Sequence, residues 1–100
     1  MTESLEGKRI LVTGGTGSLG KTLVRRLLSG EKGVPERITI FSRDEAKQHF
    51  MRLEFLQKTV ATDEVIYHKA ANILDFRIGD VRDYSAVTAA LRGMDIVFHA

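Results

Sequence analysis

An α/β fold built on a doubly wound parallel sheet is predicted by three features of the sequence. Short apolar runs alternate with amphipathic stretches along the chain. The first run leads through a glycine-rich turn, GGTGSLG at 14–20, straight into a helical pattern. Polar and acidic residues then follow the apolar runs, at the carboxyl edge where such sheets bind ligands. About four strands are expected, joined by right-handed crossovers.

The first strand is read over Lys8 to Thr13, where Ile10, Leu11 and Val12 form the continuous apolar run of a strand buried on both faces. After the glycine turn a helix is expected over Lys21 to Ser29. Leu19, Leu23, Val24, Leu27 and Leu28 supply its apolar face, with Arg25 and Arg26 on the other. Gly30 and Gly33 close it, and Pro35 prevents its continuation. The second strand is Arg37 to Phe41. Ser42 reads as the next helix N-cap, with Glu45 completing a capping box, and that helix runs from Arg43 or Asp44 to about Lys58. Phe50 and Leu53, with Met51 and Leu56, form its buried stripe. Residues 59–73 are long for a simple connection, and Val65, Ile66 and Tyr67 fit a short strand or part of another helix. The third strand is Leu74 to Ile78, followed by GDVRD at 79–83. A helix capped by Asp83 then spans Tyr84 to Leu91 and closes at Gly93. The fourth strand is Asp95 to His99.

Composition removes several function classes. The chain has 100 residues, 43% hydrophobic and 28% charged, ordinary for one soluble globular domain. Fifteen Lys and Arg stand against 13 Asp and Glu, so the net charge is only +2. The acids and bases are interspersed, which argues against a nucleic-acid surface. With no Cys there is neither disulfide nor thiolate metal site. His49, His68 and His99 lack metal-ligand spacing, so no metal is expected. No run approaches the roughly 20 apolar residues of a membrane span. The amino-terminal MTESLEGKR has no apolar core of a signal peptide, so a cytoplasmic protein is expected.

The chemistry concentrates in TGGTGSLGKT at 13–22. Unpaired amides at a helix N-terminus carry partial positive charge and suit a phosphate, and glycine lets backbone approach it. Two patterns fit. Gly15, Gly20, Lys21 and Thr22 satisfy G-x-x-x-x-G-K-[ST], in which Lys21 would reach the terminal phosphates of a triphosphate and Thr22 would ligate Mg²⁺. Gly14, Gly17 and Gly20 satisfy G-x-x-G-x-x-G, a dinucleotide-binding spacing in which the loop holds a pyrophosphate. A triphosphatase needs a metal-holding acid at a strand end. The second strand instead ends Phe41-Ser42-Arg43 and the fourth Phe98-His99-Ala100; only the third offers Asp80. The dinucleotide reading is favoured.

An acid commonly follows the second strand where the ligand is NAD. Here Ser42 and Arg43 stand there, with Lys47 a turn further on, a set suited to a 2′-phosphate. NADP is therefore favoured over NAD. Asp44 argues the other way if it faces the ribose, although helix capping also explains Ser42 and Asp44. Asp80 lies at the same edge, where its carboxylate suits an adenine amino group and the Val81 amide a ring nitrogen.

TGGTGSLG, GDVRD and VFHA at 97–100 resemble the extended short-chain dehydrogenase/reductases, a Rossmann-type family. FSRDEAKQ at 41–48 and MRLEF at 51–55 narrow the resemblance to the polysaccharide-biosynthesis branch typified by UDP-N-acetylglucosamine 4,6-dehydratases. The likeness runs over about residues 8–100; the segment at 59–73 departs from shorter members. It implies an NADP site, with Thr16, Gly17, Ser18 and Leu19 at the pyrophosphate, and Ser42, Arg43, Asp44 and Lys47 at the 2′-phosphate end. Asp80 and Val81 would meet the adenine, and Ala100 the ribose on the nicotinamide side. It also implies a lyase acting on a UDP-N-acetylhexosamine. The sugar is oxidised at C4, which acidifies the C5 proton; water leaves across C5–C6, and hydride returns to C6. A 4-epimerase would instead return hydride to C4.

The family's catalytic Tyr-x-x-x-Lys has no match, since Tyr67 is followed four residues on by Ala71 and Tyr84 by Thr88. Tyr67, His68 and Lys69 read as surface or interface residues rather than catalytic ones, and His99 as shaping the cofactor edge. Residues 1–100 are thus expected to be the amino-terminal, cofactor-binding part of such an enzyme, without catalytic residues or sugar-binding portion. A non-catalytic dinucleotide-binding module is the alternative from another class. The fourth strand is an apolar edge, normally covered by a fifth strand, and such an edge favours association when exposed; a homo-oligomer is expected of the enzyme.

Overall fold

The computed structural model describes residues 4–14, 16–56 and 73–100. Their elements are β1 (Arg9–Thr13), α1 (Ser18–Leu28), β2 (Arg37–Ser42), α2 (Glu45–Leu56), β3 (Leu74–Ile78), α3 (Tyr84–Leu91) and β4 (Ile96–His99). The four strands form one parallel sheet in the order β3-β2-β1-β4. This is the doubly wound α/β architecture the alternating pattern predicts. The expected elements around 59–73, with Tyr67, His68 and Lys69, lie outside the described residues apart from Ile73, which is buried.

Successive strand residues face opposite sides, so the apolar run of β1 feeds two cores. Ile10 and Val12 join Ile38 and Ile40 of β2 beneath Val24, Leu27 and Leu28 of α1 and Met51 and Phe55 of α2. Leu11 and Phe41 face the other way, against Ala90 of α3 with Ala86, Val87 and Met94 beside it. Helices therefore cover both faces. Each fully buried large apolar side chain contributes about 1.5–3 kcal/mol, so the central strands dominate the stability of the domain.

Three local expectations change. The buried face of α1 is Gly20, Val24, Leu27 and Leu28, at i, i+4, i+7 and i+8. Leu19 is 70% exposed, because the helix begins at Ser18 and its first turn stands at the edge of the sheet rather than over it. In α2 the buried positions are Gln48, Met51 and Phe55, while Phe50 is 66% exposed. Phe50 sits one residue, about 100° of helix, away from Met51, and only one of the two can face the sheet. Finally, Ser42 does not cap α2. It ends β2, paired with Ile78, and the Lys47 amide donates to Asp44 Oδ1 at 3.0 Å, which makes Asp44 the cap. Asp83 caps α3 as expected, accepting from the Ala86 amide at 3.2 Å.

The α2 stripe yields a direct comparison. Met51→Ala is expected to destabilise the protein by about 2–4 kcal/mol, and Phe50→Ala by no more than about 0.5 kcal/mol, measured by denaturant unfolding. Equal losses would show that Phe50 packs as tightly as Met51.

Candidate functional site

The carboxyl ends of β1, β2 and β3 open on one cleft of about 470 Å³. Backbone bonds just past the strand ends set its floor. The Gly14 amide donates to the Phe41 carbonyl at 3.0 Å, Gly79 to Ser42 at 2.9 Å, and Ala100 to Thr13 at 2.9 Å. Two glycines are required by close approach. Gly14 has φ +70°, and a Cβ there would lie 2.6 Å from the Ala100 carbonyl oxygen. A Cβ on Gly79 would lie 2.6 Å from the Phe41 ring.

From the first loop, Gly14 and Thr16 line the cleft. Gly17 is the N-cap residue of α1 and makes no side-chain cap bond, and no acid occupies the first turn. A Cβ on Gly17 would meet nothing within 4 Å, so open space adjoins these amides. Ser18 and Leu19 form the exposed first turn, and Gly20 is buried in the packing face of the helix. Gly15 lies outside the described residues.

The triphosphate pattern loses its functional side chains. Lys21 Nζ lies 3.5 Å from Glu54 Oε1 on α2, beside the 2.6 Å pair of Arg25 with the same carboxylate. The Thr22 hydroxyl donates back to the Ser18 carbonyl at 3.0 Å. Neither residue lines the cleft.

The second wall carries Ser42, Arg43, Asp44 and Lys47. The Ser42 hydroxyl oxygen accepts from the Asp44 amide at 3.2 Å and from Gln48 Nε2 at 3.4 Å. Its proton finds no acceptor among the described residues and remains available to a ligand. Asp44 caps the helix through Oδ1. The third wall is Asp80, Val81 and Arg82. Arg82 Nη2 pairs with Asp80 Oδ2 at 2.8 Å, and Arg43 Nη1 lies 3.6 Å from the same oxygen. The hydrogen bonds from Arg82 and the nearby Arg43 charge hold the Asp80 carboxyl well below the usual carboxylate range. Asp80 therefore stays anionic at neutral pH.

Ala100 contacts Gly14 at the end of the β1–β4 pair rather than the cleft wall. His99 lines the cleft, with Nδ1 2.6 Å from Thr13 Oγ1. Among the described residues no three His, Asp or Glu side chains gather as a metal cluster. No helix among them is long and apolar enough to cross a membrane.

Gln48 and Arg82 stand in FSRDEAKQ and GDVRD without a role assigned from the sequence, and the fold places both beside the cleft residues. Gln48 is 3% exposed, and its Nε2 donates to the Ser42 carbonyl at 3.1 Å and the Arg77 carbonyl at 2.9 Å, tying β2 to β3 beneath Arg43. The signal was a polar residue three positions before Met51 on one helix face. For Arg82, it was a base two residues after an acid in a turn.

The fold defines a Rossmann-type domain of the short-chain dehydrogenase/reductase kind. It aligns with Pen from Bacillus thuringiensis at TM-score 0.76 and 31% identity, over 96% of this chain and 25% of that one. A-type ketoreductases from a modular polyketide synthase share the fold at TM-score 0.67 and 23% identity, over 100% of this chain and 20% of theirs. The chain belongs to the polysaccharide biosynthesis protein family, which it matches over residues 10–100. It is 43% identical over 94 residues to UDP-N-acetylglucosamine 4,6-dehydratase (inverting) of Campylobacter jejuni, and 40% identical over 95 residues to UDP-glucose 4-epimerase of Rickettsia bellii. These matches take in 94% and 93% of this chain but only 23% and 24% of the relatives, so the chain spans about a quarter of the length of the curated relatives it matches.

Two stability outcomes follow from this geometry. Gly14→Ala is expected to cost at least about 2 kcal/mol, from left-handed strain and collision with Ala100, whereas Gly17→Ala stays within about 1 kcal/mol. Gln48→Leu leaves buried carbonyls short of a donor and is expected to cost about 1–3 kcal/mol. Denaturant unfolding reads all three.

Proposed function

We propose that this chain is the NADP-binding part of a nucleotide-sugar 4,6-dehydratase of polysaccharide biosynthesis, acting on a UDP-N-acetylhexosamine. The observation that carries the reading is the second wall of the cleft. Arg43, Lys47 and the unclaimed Ser42 proton converge there, on the side where a dinucleotide in such a fold presents its adenosine ribose. That set suits a 2′-phosphate through charge and directed hydrogen bonds. Asp44, the residue that argues for NAD, uses Oδ1 as the helix cap.

The remaining residues fit the rest of the cofactor. The uncapped, acid-free start of α1 and the open space at Gly17 suit the pyrophosphate, with Thr16, Ser18 and Leu19 around it. Gly20 serves by letting the helix pack closely. Asp80 and Val81 face the adenine end, and Ala100 lies toward the nicotinamide-side ribose. Bound there, the cofactor would take hydride from C4 of the sugar and give it back at C6. The described residues contribute binding and orientation; acid–base catalysis and sugar recognition are assigned to other parts of the enzyme.

A 4-epimerase is the second reading, favoured by the 40% identity to the Rickettsia enzyme over nearly the same span. The two differ in where hydride returns. The reading further takes the enzyme to be cytoplasmic and homo-oligomeric.

Titration with NADPH, NADH and ATP–Mg²⁺ tests the assignment. NADPH is expected to bind most tightly, and Arg43→Ala to weaken NADPH about ten- to hundredfold, the loss of a charged hydrogen bond, with NADH little changed. Preferential ATP–Mg²⁺ binding, or equal losses for both dinucleotides, would overturn it. In the complete enzyme a 4-keto-6-deoxy product from UDP-N-acetylglucosamine marks a dehydratase, and a C4-inverted sugar an epimerase.

A further inference from the structure

Asp80 stands between two guanidinium groups that hold it unequally. The turn after β3 brings this about. The Asp83 amide donates to the Asp80 carbonyl at 2.9 Å, and the Arg82 amide to Asp80 Oδ1 at 2.9 Å. The Arg82 side chain thereby folds back over the carboxylate and grips both oxygens. Its Nε lies 3.1 and 3.2 Å from Oδ1 and Oδ2, and its Nη2 2.8 Å from Oδ2. Arg43 Nη1 is 3.6 Å from Oδ2, within ion-pair range but beyond a hydrogen bond.

We propose that Arg82 is a specificity-determining positioning residue: by occupying the Asp80 carboxylate, it leaves Arg43 for the 2′-phosphate of the dinucleotide. This rests on the NADP reading given above. A free Asp80 carboxylate would harm a phosphate at this place twice. It would compete for the Arg43 guanidinium, and it would repel a group carrying between one and two negative charges. Paired with Arg82, Asp80 becomes locally neutral, and Arg43 and Lys47 retain a positive field on the opposite wall. Bidentate charge-assisted hydrogen bonds outrank a looser ion pair, so the carboxylate stays with Arg82 when a phosphate draws Arg43 away. The effect falls on the 2′-phosphate alone, because the adenine and pyrophosphate are common to NADP and NAD.

The test compares NADPH and NADH affinities by calorimetry in the wild type, R82Q and D80N/R82Q. The Arg82 side chain is 74% exposed, so the substitution leaves the core intact. R82Q is expected to lower the NADPH-to-NADH preference about three- to fivefold, the scale of an exposed charge interaction, with NADH binding as the control for folding. D80N/R82Q is expected to recover the wild-type preference, because any change at the adenine affects both ligands alike. An unchanged preference in R82Q overturns the proposal. Failure of the double variant to recover shows Arg82 meeting the phosphate directly, and overturns the positioning role. A wild type with no preference for NADPH removes the 2′-phosphate reading itself, and this inference with it.

Discussion

The parallel pairing of β1 with β2 and β4 is the constraint on which the rest depends. It puts the carboxyl ends of three strands side by side, and each chain must turn away there without fouling its neighbours. The Gly14 and Ala100 amides each donate to a carbonyl of the neighbouring strand as their chains leave the sheet. This alignment brings the Ala100 carbonyl to where a side chain on residue 14 would begin. The glycine is thus dictated by the register of the sheet as much as by any ligand. The loop that follows inherits its path from that contact and delivers α1 with its amino end toward the cleft.

The same edge sorts the charges. The first turn of α1 carries no acid, while Asp44 and Asp80, the two acids of the cleft, are engaged by the backbone of α2 and by the Arg82 fork respectively. The Asp80 charge is thus balanced by Arg82, and Arg43 and Lys47 line the wall that follows β2. Gln48 supports this from below. By tying the carbonyls of Ser42 and Arg77, it fixes the separation of the β2 and β3 ends, and with it the distance from Arg43 to Asp80. A modest net charge of +2 is compatible with a cleft wall that presents Arg43 and Lys47, because that arrangement involves a few residues rather than the surface.

Much of the architecture was legible because strands buried on both faces write themselves as apolar runs. Ile10–Val12 and Ile38–Phe41 could hardly lie elsewhere, and the glycine turn fixed the first crossover. The side-chain facing of the helices was less legible. Leu19 and Phe50 are apolar residues adjacent in sequence to the buried Gly20 and Met51, and hydrophobicity alone prefers the larger side chain. What decides is the phase set by the remaining contacts, by Val24, Leu27 and Leu28 in α1 and by Phe55 in α2. Ser42 and Asp44 are both competent caps, and the choice fell to Asp44 because β2 runs one residue further to pair with β3. Gln48 and Arg82 were silent for another reason. Their importance lies in partners brought near by folding, an Arg77 carbonyl from another strand and a turn that bends a side chain back on its neighbour.

The glycine loop shows the same limit most sharply. One string of residues satisfies two phosphate-binding patterns, and the patterns differ in whether Lys21 and Thr22 act through their side chains. A pattern of residue types carries no information on direction. Direction comes from the packing of α1 against α2, which places Glu54 beside Lys21 and Arg25. It comes also from the helix itself, whose Ser18 carbonyl takes the Thr22 proton. With both side chains drawn to the helix flank, the described part of the loop meets the cleft through Gly14 and Thr16, beside the open space at Gly17. A ligand recognised that way is held by the dipoles of the chain and needs its specificity from elsewhere. In this protein the nearest candidates for that specificity are the side chains that follow β2.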